Sequence, residues 1–391
     1  ILSASVVKEG GVAAAAAKMA FGNRLGVSMD RNMEDHKELF APVSGTIVAE
    51  LRAGAAFPAS AKAVGEVIEE PVIVLAGNRM PLDELEEIWN GKLESIFPNK
   101  AKEVPVTHNV PLWNERNGKA PAIKAAKPRV FIPVFPGTNC EYDTCRAFEK
   151  AGADPRVLVV KNLSSAGIEE TIQRMEKMIQ ESQIIMLPGG FSGGDEPDGS
   201  GKFIATTFRN PRIAEAVSAL LEQRDGLMLG ICNGFQALIK LGLVPYGKIT
   251  EPSEAAPTLT FNTLGRHVSR MVYTRVSSVK SPWFSSVNAG DVFAVPVSHG
   301  EGRFVASPAV MEELIQNGQI ATQYVDPEGN PSGDILWNPN GSVCAVEGIT
   351  SPDGRILGKM GHSERKGTNL YGNVPGEKDQ KIFESGVAYF K

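Results

Sequence analysis

The chain has 391 residues, and 40 Lys and Arg against 45 Asp and Glu give a formal net charge of −5. With 42% hydrophobic and 22% charged residues it is not a disordered chain, and at roughly 150 residues per domain its length predicts two or three domains. The slightly acidic balance, without a dense Lys/Arg stripe, excludes the usual footprint of a nucleic-acid binder, and four cysteines are too few for a disulfide scaffold, which predicts a reducing, cytoplasmic setting.

Residues 1–22 are rich in Ala, but Lys8, Glu9 and Lys18 interrupt them. No apolar run approaches the ~18 residues of a membrane helix, and no basic segment precedes one, so neither a signal peptide nor a membrane partner is expected. The sequence starts without Met and its first residues read like the middle of a domain, so a piece of something longer is expected. Residues 1–78 suggest partial α+β material: a helix over 12–21, a Gly22-Asn23 turn, and strands over 45–51 and 71–75. Residues 79–127 read as a linker, with a short amphipathic helix from Pro81 to Trp89, then Pro98, Pro105, Pro111 and a Lys/Ala/Pro stretch. Trp89 and Trp113 read as anchors that pack this linker onto a domain.

From residue 128 to 391 the pattern changes to alternating strands and helices. Strands are expected over 130–135, 156–160, 183–187 and 226–231, with helices over 141–151, 168–181, 212–222 and 233–241. Short apolar runs alternating with helical periods predict βαβ units, hence an α/β fold with a doubly wound parallel sheet covered on both faces.

The chemistry concentrates in Gly230-Ile231-Cys232-Asn233-Gly234-Phe235-Gln236. A buried strand running through Gly-x-Cys-x-Gly into a helix is the nucleophile-elbow pattern with sulfur in place of oxygen. A helix N-terminus favours the thiolate. The competing reading is a small buried hydrophobe without a reactive role. A thiolate that attacks an acyl carbon needs a base and a group to orient it. Two His-x-Glu pairs qualify: His299 with Glu301, flanked by glycines that let backbone lie close to a ligand, and His362 with Glu364 after an apolar strand. His36 and His108 lie outside the α/β region, and His267 reads as a surface group. An oxyanion hole needs two preorganised N–H donors; Asn233 supplies one and the turn Pro188-Gly189-Gly190-Phe191-Ser192 the other, at the carboxyl edge of the sheet. That turn lacks the ending of a phosphate loop.

These residues carry a specific resemblance. Leu187-Pro188-Gly189-Gly190-Phe191-Ser192, the Cys232 segment, and Pro296-Val297-Ser298-His299-Gly300-Glu301-Gly302-Arg303-Phe304 resemble the class I glutamine amidotransferase domain of the phosphoribosylformylglycinamidine synthase family. Residues 130–141 resemble its opening strand and loop. The stretch from Gly10-Gly11 to Gly22-Asn23-Arg24 resembles the end of the synthetase-like part of the large single-chain form. The resemblance implies a flavodoxin-like glutaminase domain over 128–391, preceded by a linker over 79–127 and a partial aminoimidazole ribonucleotide synthetase-like domain over 1–78. It implies that Cys232 attacks the glutamine carboxamide, His362 acts as acid and base, and Glu364 orients it. Gly190 and Asn233 would form the oxyanion hole, and Gly189, Phe191, Ser192, Gln236 and His299 would hold glutamine. No metal is implied, and ATP and Mg would serve only the synthetase part, the partner that receives the ammonia. The sequence departs from the family at Gly361-His362-Ser363, where Pro more often stands on both sides of His, and after Gly194, so no contact is carried over to Asp195 or Asp198. The alternatives are a cysteine hydrolase of another γ-glutamyl or acyl substrate and a non-catalytic glutaminase-like packing domain.

Overall fold

A computed structural model describes residues 1–29, 36–193 and 201–391, so Asp195 and Asp198 lie outside the described residues. It contains two units, Ile1–Asn99 and Lys100–Lys391. The first unit is built from β1 (Ser3–Val6), α1 (Gly11–Asn23), β2 (Gly26–Ser28), β3 (Ile47–Glu50), β4 (Glu66–Ile68), β5 (Val72–Leu75), β6 (Asn78–Pro81) and α2 (Leu82–Gly91). Strands β1 and β3 pair, and a second sheet has the order β4-β2-β5-β6. Helix α1 buries Ala13, Ala16 and Ala20, whose i, i+3, i+7 spacing sets one small-residue face against Leu75, Ile73 and Leu82. It continues through Gly22-Asn23 and ends at Arg24, in the left-handed region at φ 61°. The turn expected at residues 22 and 23 therefore falls one residue later.

The second unit holds β7 (Arg129–Val134), α3 (Glu141–Ala151), β8 (Asp154–Val159), α4 (Ser165–Glu181), β9 (Ile184–Leu187), α5 (Lys202–Phe208), α6 (Pro211–Gln223), β10 (Leu227–Ile231), α7 (Asn233–Leu241) and the short turn α8 (Leu243–Tyr246). After them come β11 (Thr258–Thr260), β12 (Val268–Val276), β13 (Val292–His299), β14 (Arg303–Val305), α9 (Pro308–Gln316), β15 (Ile320–Val325), β16 (Val346–Thr350), β17 (Ile356–Lys359) and α10 (Ile382–Ala388).

Nine strands form one sheet in the order β13-β12-β15-β16-β17-β10-β9-β7-β8. The half from β17 to β8 is parallel, as the βαβ pattern predicts. The expectation of a wholly parallel sheet is corrected by the other half, where β12, β13, β15 and β16 join by antiparallel ladders. The parallel strands β9 and β10 are fully buried, which explains their uninterrupted apolar runs. Residues 100–127 belong to the second unit and lie against it: the Trp113 N–H donates to Ser277 O (2.8 Å), and the Ala125 N–H to Phe390 O (2.8 Å). Helix α2, read as the start of the same connector, falls in the first unit. Among the described residues no helix is long and apolar enough to cross a membrane.

Candidate active site

The carboxyl ends of β7, β9, β10 and β17 bring four short loops together, the place where open α/β sheets bind ligands. Cys232 stands between β10 and α7 with φ 53° and ψ −107°. A positive φ on a residue with a side chain is strained, and strain of this kind concentrates at functional sites. The flanking glycines follow from the same bend. A Cβ on Gly234 would lie 2.0 Å from Leu187 O, and one on Gly230 would lie 2.7 Å from the Gly234 carbonyl carbon. The Cys232 N–H donates to Lys359 O (2.8 Å), tying the elbow to the end of β17, and the thiol points to Ser298 O (3.6 Å).

His362 follows β17 by three residues and is buried with Glu364. Its Nδ1 lies 2.6 Å from Glu364 Oε1. Burial alone would raise the Glu364 pKa, but His362 and hydrogen bonding hold it below the usual carboxylate value. An ionised carboxylate only accepts, so Nδ1 carries the proton and Nε2 is the basic nitrogen. That Nε2 is buried and meets no hydrogen-bond partner among the described residues. Gly189 lies between the Cys232 and His362 loops: a Cβ there would sit 2.8 Å from His362 Cε1 and 3.4 Å from Cys232 Cβ. Burial pushes the Cys232 thiol up to about 12, with Cys140 and Glu364 adding to the effect. The expected thiolate preference of a helix N-terminus is thus outweighed; the Asn233 N–H does pull the pKa down, but desolvation is larger.

The second His-x-Glu pair reaches the same place and is built differently. The His299 Nδ1 faces Asn262 Oδ1 (3.3 Å), which also accepts from the Gly302 N–H (3.1 Å). Asn262, a neutral amide, occupies the position that Glu364 takes beside His362. Burial first, and then the neighbouring His362 and His267, lower the His299 pKa to about 3, so the ring is neutral.

Residues 127–390 match the family described as the CobB/CobQ-like glutamine amidotransferase domain. The chain belongs to that family. It is 36% identical over 239 residues to a protein named phosphoribosylformylglycinamidine synthase subunit PurQ from Methanococcus maripaludis, covering 61% of this chain and 82% of that protein. The protein of the same name from Aquifex aeolicus is 31% identical over 247 residues, 63% of this chain and 94% of that one. A solved structure titled PurLQS from Thermotoga maritima aligns at 27% identity and a TM-score of 0.49, over 68% of this chain and all of that one.

Within this amidotransferase domain the remaining predicted residues also gather near Cys232. Gly190, at φ 141°, packs on the turn after β7, where a Cβ would lie 2.7 Å from Gly137 O. The Ser192 N–H donates to Asn233 Oδ1 (3.2 Å), Asn233 Nδ2 to Gln236 Oε1 (3.0 Å), and Gln236 Nε2 to Glu301 O (2.6 Å). Both ends of the Gln236 amide are therefore taken by the protein, and this chain of bonds joins the Gly189–Ser192 turn, the elbow and the His299 loop. The Phe191 ring centroid lies 6.0 Å from that of the exposed His267, whose Nε2 is 3.0 Å from Ser298 Oγ.

Two residues of the site were absent from the sequence reading. Cys140 is buried with its Sγ 3.9 Å from His362 Nδ1, and Arg365 Nη2 donates to that sulfur (3.1 Å). Its position just after β7, at the ligand-binding edge of the sheet, is the signal that could have found it. Cys140, His362 and Glu364 place donor atoms within 4.8 Å of one another, a set that could hold a metal ion. The Arg365 guanidinium against the Cys140 sulfur opposes a second cation there.

Proposed function

We infer that the second unit hydrolyses glutamine through a γ-glutamyl thioester on Cys232 and releases ammonia. The observation that carries this reading is the His362–Glu364 contact of 2.6 Å beside a cysteine in elbow conformation. Because the resting thiol is protonated, attack on the carboxamide carbon requires His362 Nε2 to take the thiol proton as the carbon–sulfur bond forms. Glu364 stabilises the resulting imidazolium. The Asn233 N–H, with Gly190, meets the negative charge on the carbonyl oxygen. Collapse of the tetrahedral intermediate returns the proton to the leaving nitrogen, and water then cleaves the thioester to glutamate. In this reading Gly189, Phe191, Ser192 and His299 line the glutamine site, and Gln236 shapes it by bracing the His299 loop.

The finer assignment is to the glutaminase part of phosphoribosylformylglycinamidine synthase, supported by the names of the relatives. Ammonia would pass to a synthetase part that uses ATP and Mg to convert formylglycinamide ribonucleotide to the amidine, as a cytoplasmic ligase of purine biosynthesis. The strand order of the parallel half, 2-1-3-4-5 counted along the chain, supports a flavodoxin-like domain over 128–391. The first unit is read as the partial synthetase-like domain. Trapping tests the reading: acid quenching after mixing with radiolabelled glutamine leaves label on the parent and none on Cys232→Ser. Equal label on both removes Cys232 from the reaction.

A further inference from the structure

Beneath the His362 turn lies a charged pair that the chemistry above does not use. Lys359, the last residue of β17, and Glu347, on the neighbouring β16, are both wholly buried, with Nζ 3.1 Å from Oε1. Burying two charges is expensive, and a buried pair is weak evidence for stability in itself. Its hydrogen bonds show where its effect is directed. Lys359 Nζ donates to Gly361 O (2.7 Å) and to Ser363 Oγ (3.0 Å), the residues on either side of His362. The ammonium has three donors, and the third goes to Glu347. Glu347 Oε1 accepts from the Gly361 N–H (2.5 Å), and its Oε2 from the Thr322 hydroxyl. Ser363 Oγ in turn donates to Gln380 Oε1 (2.5 Å), and Gln380 Nε2 donates to Thr274 Oγ1 (3.1 Å).

The turn also leaves room for the pair. A Cβ on Gly361 would lie 2.8 Å from Val295 Cγ2, 2.9 Å from Glu347 Oε1 and 3.0 Å from Lys359 Nζ, so the ion pair and Val295 together occupy the space a side chain would need. Glycine brings the greatest backbone freedom of any residue. A general base preceded by glycine is therefore held in place by outside contacts or not held.

We propose that the Lys359–Glu347 ion pair is a positioning device for the base, clamping Gly361 and Ser363 so that His362 is presented to Cys232 with Glu364 behind it. The proposal rests on the glutaminase reading and extends it to two residues that touch neither substrate nor thiol. It requires that loosening the clamp slows chemistry while leaving glutamine binding alone.

The test uses the full chain and 6-diazo-5-oxo-norleucine, a glutamine-like alkylator, with inactivation rate, half-saturation and pH dependence measured by mass spectrometry of Cys232. In Glu347→Gln/Lys359→Met both charges go together, and an acceptor remains for the Gly361 N–H. The maximal labelling rate should fall about tenfold or more, the scale of a base misplaced by a fraction of an ångström, with half-saturation unchanged within about twofold. The midpoint of the rise with pH should move downward, because an imidazolium that a poorly oriented Glu364 supports less loses its proton at lower pH. Ser363→Ala, which buries no new charge, should show the same pattern at about threefold and decides the matter if the double variant does not fold. A rate and pH profile equal to the parent's in the folded double variant, or in Ser363→Ala if the double variant does not fold, overturns the proposal. A parent chain that is not labelled at all instead overturns the glutaminase reading beneath it.

Discussion

At the scale of single residues, the site is decided by what stands behind each histidine. His362 has a carboxylate at 2.6 Å and His299 has an amide at 3.3 Å, so only the first has a fixed charge to stabilise its protonated form. Glu364→Gln should therefore lower the rate of thioester formation about a hundredfold or more, read by rapid quench, with little change in glutamine affinity. His299 makes a different prediction. Its pKa in the folded chain is about 3 against an ordinary 6.5, so the unfolded chain binds the proton more readily throughout that interval. Stability from this group is complete above the unfolded value and is lost as pH falls towards the folded one, at up to about 1.4 kcal/mol per pH unit. His299→Gln should make the fall in melting temperature between about pH 6 and pH 4 shallower, as followed by thermal denaturation. The elbow at Cys232 was legible because its glycines are local in sequence. Cys140 and Arg365 were not, since their contact joins residues 225 positions apart.

At the scale of elements, the elbow is a close crossing of backbone. Gly234→Ala would drive a methyl into Leu187 O, so strand β9 or helix α7 must move. We expect a loss of about 1–3 kcal/mol, seen as a lowered melting temperature, together with loss of Cys232 labelling. Gly118→Ala, where a Cβ meets nothing within 4 Å, is the control and should leave both unchanged. The same scale explains how much of the fold could be read in advance. The parallel half was legible because fully buried strands such as β9 and β10 are apolar throughout and are separated by amphipathic helices. The antiparallel half was not. Strand β12 carries Arg270 and Arg275 among its apolar residues, and its partner β15 lies across a hairpin and a helix. Nothing local marks such a pairing, although the alternation in residues 268–276 is a strand signal.

At the scale of the whole molecule, every group assigned to the chemistry lies in the unit Lys100–Lys391, and so does one continuous core running from Val110 to Phe390. Residues 100–391 expressed alone should therefore fold and label at Cys232 within about twofold of the full chain's rate. Aggregation of that piece, or loss of labelling, would show that the first unit is needed to complete the site. Residues 100–127 lie along the second unit, with Trp113 seated against Gly318 and β-bridged to Ser278, the packing expected of an anchor residue in a linker. The central claim, that Cys232 is the nucleophile of a glutaminase, is met most directly by peptide mapping after incubation with 6-diazo-5-oxo-norleucine. A single adduct on Cys232, abolished by excess glutamine, is the predicted result; adducts on Cys140, Cys145 or Cys344 with Cys232 unmodified would contradict it.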